Sequence, residues 1–261
     1  MPRPLTVLFE DERLLAVHKP PRMLTVAAPR GEAQEKGSPL IERLRQEGHR
    51  VLAVHRIDYE TSGVVLFAKD DEMREALMDL FKRREVRKSY LLLVLGRPRP
   101  PRGRIDLPIK DLGASAAIAA DGSPAITHYE TLETVGPCTL LRAHPETGRH
   151  NQIRLHFARI GHPLVGERKF AVGRDAVLRH KRVLLHAESL EFRPPHLERE
   201  IRIVAPLPED FLNALGKSRE APDEPPRPRE KAARRPDHRG GARRGAHPGR
   251  PGKLRRGKGR R

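Results

Sequence analysis

The side chains best equipped for chemistry stand together in one stretch, His55-Arg56-Ile57-Asp58-Tyr59-Glu60-Thr61-Ser62-Gly63. Among them a cation (Arg56), a carboxylate (Asp58), two aliphatic hydroxyls (Thr61 and Ser62) and a glycine (Gly63) lie between an apolar run that enters, Val51 to Val54, and one that leaves, Val64 to Ala68. This sets polar chemistry at a tight corner between two strands that read as buried. The carboxylate, Asp58, is either a catalytic group or a structural acid satisfied by nearby backbone N–H groups. A second polar cluster is Thr147-Gly148-Arg149-His150-Asn151-Gln152-Ile153-Arg154-Leu155-His156. Gly148 suits a turn, and the run behind it can be helical to about Ile160, stopped by Gly161. Arg149, Gln152 and Arg154 do not share one narrow stripe of such a helix, so some can face a ligand while others face the protein.

The elements that must position these groups follow from local pattern. Leu5 to Phe9 and Leu14 to His18 read as a hairpin joined by Glu10-Asp11-Glu12-Arg13. Lys19-Pro20-Pro21-Arg22 breaks the second strand, because proline cannot continue a ladder; Lys19 is either a phosphate contact or a solvated turn lysine. Ala27 to Ser38 reads as a mobile loop. Pro39 can open a short helix behind Ser38 as N-cap, with Leu40, Ile41 and Leu44 as its apolar face and Gly48 at its end. Asp70-Asp71-Glu72 begins the clearest helix, in which Met73, Ala76, Leu77, Leu80 and Phe81 fall at helical spacing and Lys82-Arg83-Arg84 complement the dipole. Lys88 to Leu95 is a strong strand with Tyr90 near its start, ordinarily a core or edge position. Arg104 to Ile109, Ile126 to Thr134, Cys138 to Ala143, Leu184 to Phe192 and Glu200 to Val204 read as further strands, and Pro208 to Leu215 as a closing helix.

Composition narrows the partners. The 261 residues carry a formal charge of +18, which favours a polyanion. Residues 217–261 hold 17 basic and 5 acidic side chains, with seven Pro, seven Gly and one Leu. Such a segment cannot bury enough apolar surface to offset its ordering entropy and reads as a disordered cationic tail. The lone Cys138 rules out an internal disulfide framework and a Cys-rich zinc site, and its strand context reads as a buried, inert thiol. His144, His150, His156 and His162 recur every six residues, not at the i,i+4 spacing that places a metal pair on one helix face, so a metal-dependent hydrolase is set aside. No apolar stretch approaches ~20 residues, and no secretory signal is read at the amino terminus, so a cytoplasmic protein is expected.

Taken in order, the motifs resemble those of the RluA-type pseudouridine synthases. The nonapeptide is similar to that family's His-Arg-Leu-Asp-x-x-Thr-Ser-Gly, with Ile57 for Leu. Lys88-Ser89-Tyr90 matches Lys-x-Tyr. Thr147 to Arg154 resembles Thr-Gly-Arg-x-His-Gln-Ile-Arg, with Asn151 where the family has His. Gly161 to Phe170 resembles Gly-x-Pro-x-x-Gly-Asp-x-x-Tyr, with Glu167 and Phe170 as replacements, and Lys19 to Arg22 resembles Lys-Pro-x-Gly, with Arg22 for Gly. The resemblance covers roughly Leu5 to Leu215. It implies an α+β fold with a mixed, mainly antiparallel bent sheet, flanking helices and a cleft across the sheet. It also implies a catalytic domain over 1–216, of the short single-domain branch, followed by the basic tail 217–261.

What the resemblance implies for function is the isomerisation of uridine to pseudouridine in RNA. The reaction has no redox change or net hydrolysis and so requires no metal or nucleotide cofactor. Asp58 would be the reacting carboxylate, as nucleophile or as an ion that redirects charge during glycosidic cleavage. Arg154 matches the arginine that pairs with it, and Tyr90 the active-site tyrosine. Arg56 matches the residue held to fill the space of the flipped-out base, Ile153 would wall the uracil pocket, and Arg149, Gln152 and Lys19 would contact RNA. The expected partner is ribosomal or transfer RNA, with no membrane and the chain as a monomer. The competing reading is a catalytically silent RNA-binding protein of ribosome assembly. The composition fits it, but it gives no reason for Asp58, Tyr90 and Arg154 to occur together.

Overall fold

Two hairpin strands open the fold, β1 (Thr6–Glu10) and β2 (Leu14–Lys19), as the two short runs joined by a polar turn predict. The computed structural model describes residues 5–27, 37–113, 115–170 and 180–222. Most of the expected mobile loop and nearly all of the cationic tail therefore lie outside the described residues. A short helix α1 (Leu40–Gln46) follows, burying Leu40, Ile41 and Leu44; Pro39, not Ser38, is its N-cap residue, and no side chain caps it. The apolar run before Asp58 forms a strand of two residues, β3 (Leu52–Ala53), and the run after it a wholly buried one, β4 (Ser62–Ala68). Helix α2 (Asp71–Arg83) starts where Asp70 Oδ1 accepts the Met73 N–H at 2.8 Å and ends on Arg84 in the left-handed region. This N-cap bond satisfies one of the four N–H groups left open at the start of a helix.

Then come β5 (Arg87–Leu95), β6 (Arg102–Asp106), the small pair β7 (Ile109–Asp111) and β8 (Ala116–Ile118), the long β9 (Ile126–Val135) and β10 (Cys138–Pro145). Helix α3 (Gln152–Arg159), β11 (Leu185–Phe192), β12 (Ile201–Val204) and α4 (Glu209–Glu220) complete the described chain. Helix α4 runs past Gly216, the expected end of the folded domain, and buries Ser218 within it.

The main sheet has the order β1-β2-β4-β11-β5-β10-β9-β6, with β12 on β11 and β3 on β4. Every pairing is antiparallel except β4 with β11, so the sheet is mixed, as the resemblance implies. Period-two alternation divides the interior. From β2 and β4, Leu14, Ala16, Val64 and Leu66 pack on Met73, Leu77 and Leu80 of α2. The intervening Leu15, Val17, Val65 and Phe67 pack on α1 and on Ile57. In β5, Leu92 and Val94 face Ile153 and Phe157 of α3, while Leu91 and Leu93 face Phe211 and Leu215 of α4. Cys138 lies in this last cluster, fully buried, and burial pushes its thiol up to about 11, as expected of an inert cysteine.

Candidate active site

Asp58 sits in the loop between β3 and β4, and the loop is held from several sides. Thr25 Oγ1 donates to the Ile57 carbonyl at 3.1 Å and accepts the Ile57 N–H at 3.3 Å. The Thr61 N–H closes back on the Asp58 carbonyl at 3.1 Å, and the Met23 N–H bonds the Tyr59 carbonyl at 3.2 Å. His55 Nε2 accepts the Leu66 N–H at 2.9 Å, and its ring stacks on Phe81 at 4.8 Å. Burial, with the nearby charge of Lys88, pushes this imidazole down to about 3, so it stays a neutral acceptor. Gly63 ends the motif where β4 meets β11. Its φ is +122°, and a Cβ there would stand 2.1 Å from the Ala187 carbonyl oxygen, so no larger residue fits.

Lys19 is corrected from RNA contact to loop support. It is fully buried, and its Nζ donates to the carbonyls of Pro20, Met23 and Tyr59 at 3.1, 2.7 and 3.3 Å. All three protons are spent, so none is left for a phosphate. Burial pushes the amine down to about 7 against the opposing charge of Asp58. The turn after it keeps a glycine-type backbone although Arg22 occupies the position: its φ is +60°. Its guanidinium donates to the Lys181 carbonyl.

Gln152 lines the cleft, but its side chain is bonded within the protein. It is buried, its Oε1 accepts from Thr147 Oγ1 at 2.7 Å and the Arg149 N–H at 3.0 Å, and its Nε2 donates to the Ile126 carbonyl and Thr127 Oγ1. It pins the loop before α3 to β9. Asn151 caps α3 in the left-handed region (φ +55°), a conformation Asn tolerates, and its Oδ1 accepts from Arg154 Nη1 at 3.1 Å.

Arg154 is corrected in its partner. Its fork meets Glu167, Nε to Oε2 at 2.7 Å and Nη2 to Oε1 at 2.9 Å, and Glu60 stands 4.0 Å away. No ion pair within 4.0 Å joins Arg154 to Asp58, whose charge acts on it only through space. The bidentate match and the buried position of Glu167 favour that partner. The side chain of Glu167 is 0% exposed, and Oε1 also accepts the N–H groups of Lys169 and Phe170. Sequence inspection missed this, having weighed Glu167 only as a replacement for Asp.

One cleft of about 570 Å³ collects Asp58, Tyr90, Arg154, Arg56, Ile153 and Arg149. The expected site residues thus converge from the β3–β4 loop, β5, the loop before α3 and the start of α3; Gln152 lines the cleft with them, and Lys19 supports the loop of Asp58. Burial, and secondarily the charge of Asp58, push the Tyr90 phenol well above its usual value, so it is neutral across the physiological range. Arg56 and Arg149 are exposed at the cleft, and Lys82, Arg84 and Lys88 also line it. Among the described residues Arg56, Lys82, Lys88 and Arg149 have no carboxylate within ion-pair distance, so the cleft carries uncompensated positive charge. Such a field suits an anionic ligand. Lys82 and Arg84, at the basic end of α2, thus stand at the site. Among the described residues no three His, Cys, Asp or Glu side chains group as metal ligands, and no helix is long and apolar enough to cross a membrane.

The chain is similar to known proteins over most of its length. Residues 13–159 match the family model described as RNA pseudouridylate synthase. The chain is 32% identical over 207 residues to the dual-specificity RNA pseudouridine synthase RluA of Escherichia coli K12, covering 77% of this chain and 93% of that one. It is 36% identical to the ribosomal large subunit pseudouridine synthase D of Nitrosomonas europaea, covering 84% and 67%. Among solved structures, human RNA pseudouridylate synthase domain containing 4 superposes with a TM-score of 0.66 at 26% identity, covering 82% and 93%. A shared fold, a matched family model and nearly the full length of a curated relative lead to one conclusion: this chain belongs to the RluA-type family of RNA pseudouridine synthases, and it is an isomerase acting on RNA.

Proposed function

We propose that the protein converts specific uridines of a structured RNA, ribosomal or transfer RNA, into pseudouridine, with Asp58 acting on a nucleotide flipped into the cleft. The observation that carries this is the convergence of Asp58, Tyr90 and Arg154 on one cleft that also presents Arg56, Lys82, Lys88 and Arg149, cations with no carboxylate within ion-pair distance among the described residues. The named substrate of the Nitrosomonas relative, the large ribosomal subunit, favours ribosomal RNA as the first one to try.

In this mechanism the target base leaves its stack at a cost of a few kcal/mol. Arg56, exposed at the mouth of the cleft, offers a planar guanidinium to the gap it leaves. Ile153, 6% exposed, provides an apolar wall for the uracil, and the Tyr90 ring lies beside it. Asp58 attacks the sugar or stabilises charge as the N-glycosidic bond breaks. The uracil turns, and its C5 bonds to the sugar carbon as any bond to Asp58 breaks. The C5 hydrogen leaves as a proton while N1 gains one. Arg149 meets the RNA backbone at the rim. Residues 217–261, net +12, add affinity for RNA through counterion release. The test is incubation of unmodified ribosomal and transfer RNA with the protein and with Asp58→Asn, followed by mapping of pseudouridine. New sites made by the parent alone are expected. RNA binding by both without pseudouridine from either would favour the silent binding protein.

A further inference from the structure

Arg182 is one of the largest fully buried side chains, 1% exposed, and the cleft does not use it. It lies, with Asp210, beyond the residues matched by the family model. Its guanidinium is committed in two directions. Nε and Nη2 grip Asp210 at 2.6 and 2.9 Å, a bidentate pair with the first turn of α4. Nη1 donates to the carbonyls of Val183, Leu185 and Glu60 at 3.0, 3.2 and 3.2 Å. Glu60 is two residues after Asp58, inside the turn that the Thr61 N–H closes on the Asp58 carbonyl. The Arg182 backbone is packed on Gly166, where a Cβ would stand 1.9 Å from the Arg182 carbonyl oxygen. Meanwhile α4 is docked through Phe211 and Leu215 on Leu91 and Leu93, the β5 face opposite Leu92 and Val94. A helix packed on the other face of β5 thus reaches the loop that carries Asp58 through one buried cation.

We propose that Arg182 and Asp210 are positioning residues for the reaction: Asp210 fixes the guanidinium that holds the Glu60 carbonyl, and through it the backbone that aims Asp58 into the cleft. A buried Arg stripped of its carboxylate is uncompensated and free to rotate about its remaining carbonyl contacts. Half an ångström of slack at a reacting group is enough to slow chemistry without weakening binding. The effect on rate rests on the proposed role of Asp58; the effect on the loop does not.

Asp210 is the handle, since its side chain is 38% exposed and Asp210→Asn keeps one acceptor for Arg182. The control is Glu133→Gln, which removes the exposed pair with Arg219 of α4 and leaves the loop contact alone. In the full chain we expect Asp210→Asn to lower the single-turnover rate at least tenfold, with RNA affinity within twofold. Hydrogen exchange should show the Thr61 amide losing protection while Val64 to Phe67 keep theirs. Asp210→Glu should recover most of the rate, and Glu133→Gln should change neither the rate nor the Thr61 protection. An unchanged rate and an unchanged Thr61 amide in Asp210→Asn, even with a lower Tm, would overturn the proposal, leaving the pair as a fastening for α4. If the parent makes no pseudouridine, the exchange result decides by itself. If Asp210→Asn does not fold, native-state exchange of the parent decides: Thr61 should open in the same denaturant-dependent unit as residues 212–216, and independent opening refutes the link.

Discussion

Replacing Glu167 by Gln tests whether the Arg154 fork is held as the structure has it. The substitution preserves shape and removes one charge. Oε1 accepts from Arg154 Nη2 and from the N–H groups of Lys169 and Phe170; Oε2 accepts from Arg154 Nε. Both oxygens face donors alone, so either amide orientation sets an NH₂ against a donor. The NH₂ lies at least cost in place of Oε2, where one bond of 2.7 Å is lost and an N–H faces an N–H. Side-chain exposures of 10% for Arg154 and 0% for Glu167 deny water as a substitute. Removing one partner of a buried pair costs about 3–5 kcal/mol. At roughly 2–4 °C per kcal/mol for a domain of this size, Tm should fall by roughly 10 °C. Burial alone would push the Glu167 carboxyl up, but the hydrogen bonds and charge of Arg154, with the two N–H groups, outweigh it and hold the carboxyl below its usual value. A lowered folded-state pKa means stability that is present above the unfolded value, ~4.3, and is lost as pH falls through the folded one. The Tm gap between parent and variant should therefore be full at pH 7 and close in stronger acid. Thermal unfolding by circular dichroism across pH 3–7 reads both. A Tm shift below about 2 °C at pH 7 would refute the reasoning.

The remaining predictions concern groups whose surroundings fix their role. Gln152→Ala strands four buried bonding partners and should destabilise by about 2–4 kcal/mol in chemical denaturation, with the salt dependence of RNA binding unchanged, because no phosphate contact is lost. His186 donates Nε2–H to the Ala205 carbonyl and accepts from Ser62, and burial pushes it down to about 4. The unfolded chain takes up that proton from pH ~6.5 downward, so up to about 3 kcal/mol present above pH 6.5 should be lost by pH 4, seen as a falling Tm that His186→Gln flattens. Burial and the charge of Arg84 push Lys88 down to about 8 in the cleft wall. RNA binding at fixed salt should therefore weaken as pH rises through about 8, and Lys88→Arg, charged throughout, should remove that step in a titration of Kd.

How much of this was legible in the sequence depends on distance along the chain. Helix α2, the β1–β2 hairpin and the strands β4, β5, β9 and β10 followed from periodicity and capping, because those signals are local. The corner carrying Asp58 was legible for the same reason, since nine consecutive residues hold the chemistry between two apolar runs. Asn151 and Arg22 show the limit of motif comparison. Each departs from the family residue, yet each adopts the left-handed backbone, with Arg22 keeping the glycine-type turn.

What the tertiary structure alone decided are the partners of buried charges. Residue type made Lys19 and Gln152 look like RNA contacts, and in isolation a lysine at a turn and a glutamine at a helix start can be that. Burial takes away their water, and a buried donor must find an acceptor in the protein, so Lys19 spends its protons on carbonyls beneath Asp58 and Gln152 spends its amide on β9. Arg154 finds Glu167, thirteen residues on, and Arg182 joins Asp210 to Glu60 across 150 residues of chain. The sequence determined which residues could do chemistry. Which of them face the cleft and which hold it up was set by long-range packing, because desolvation depends on everything that surrounds a group and not on its neighbours in the chain.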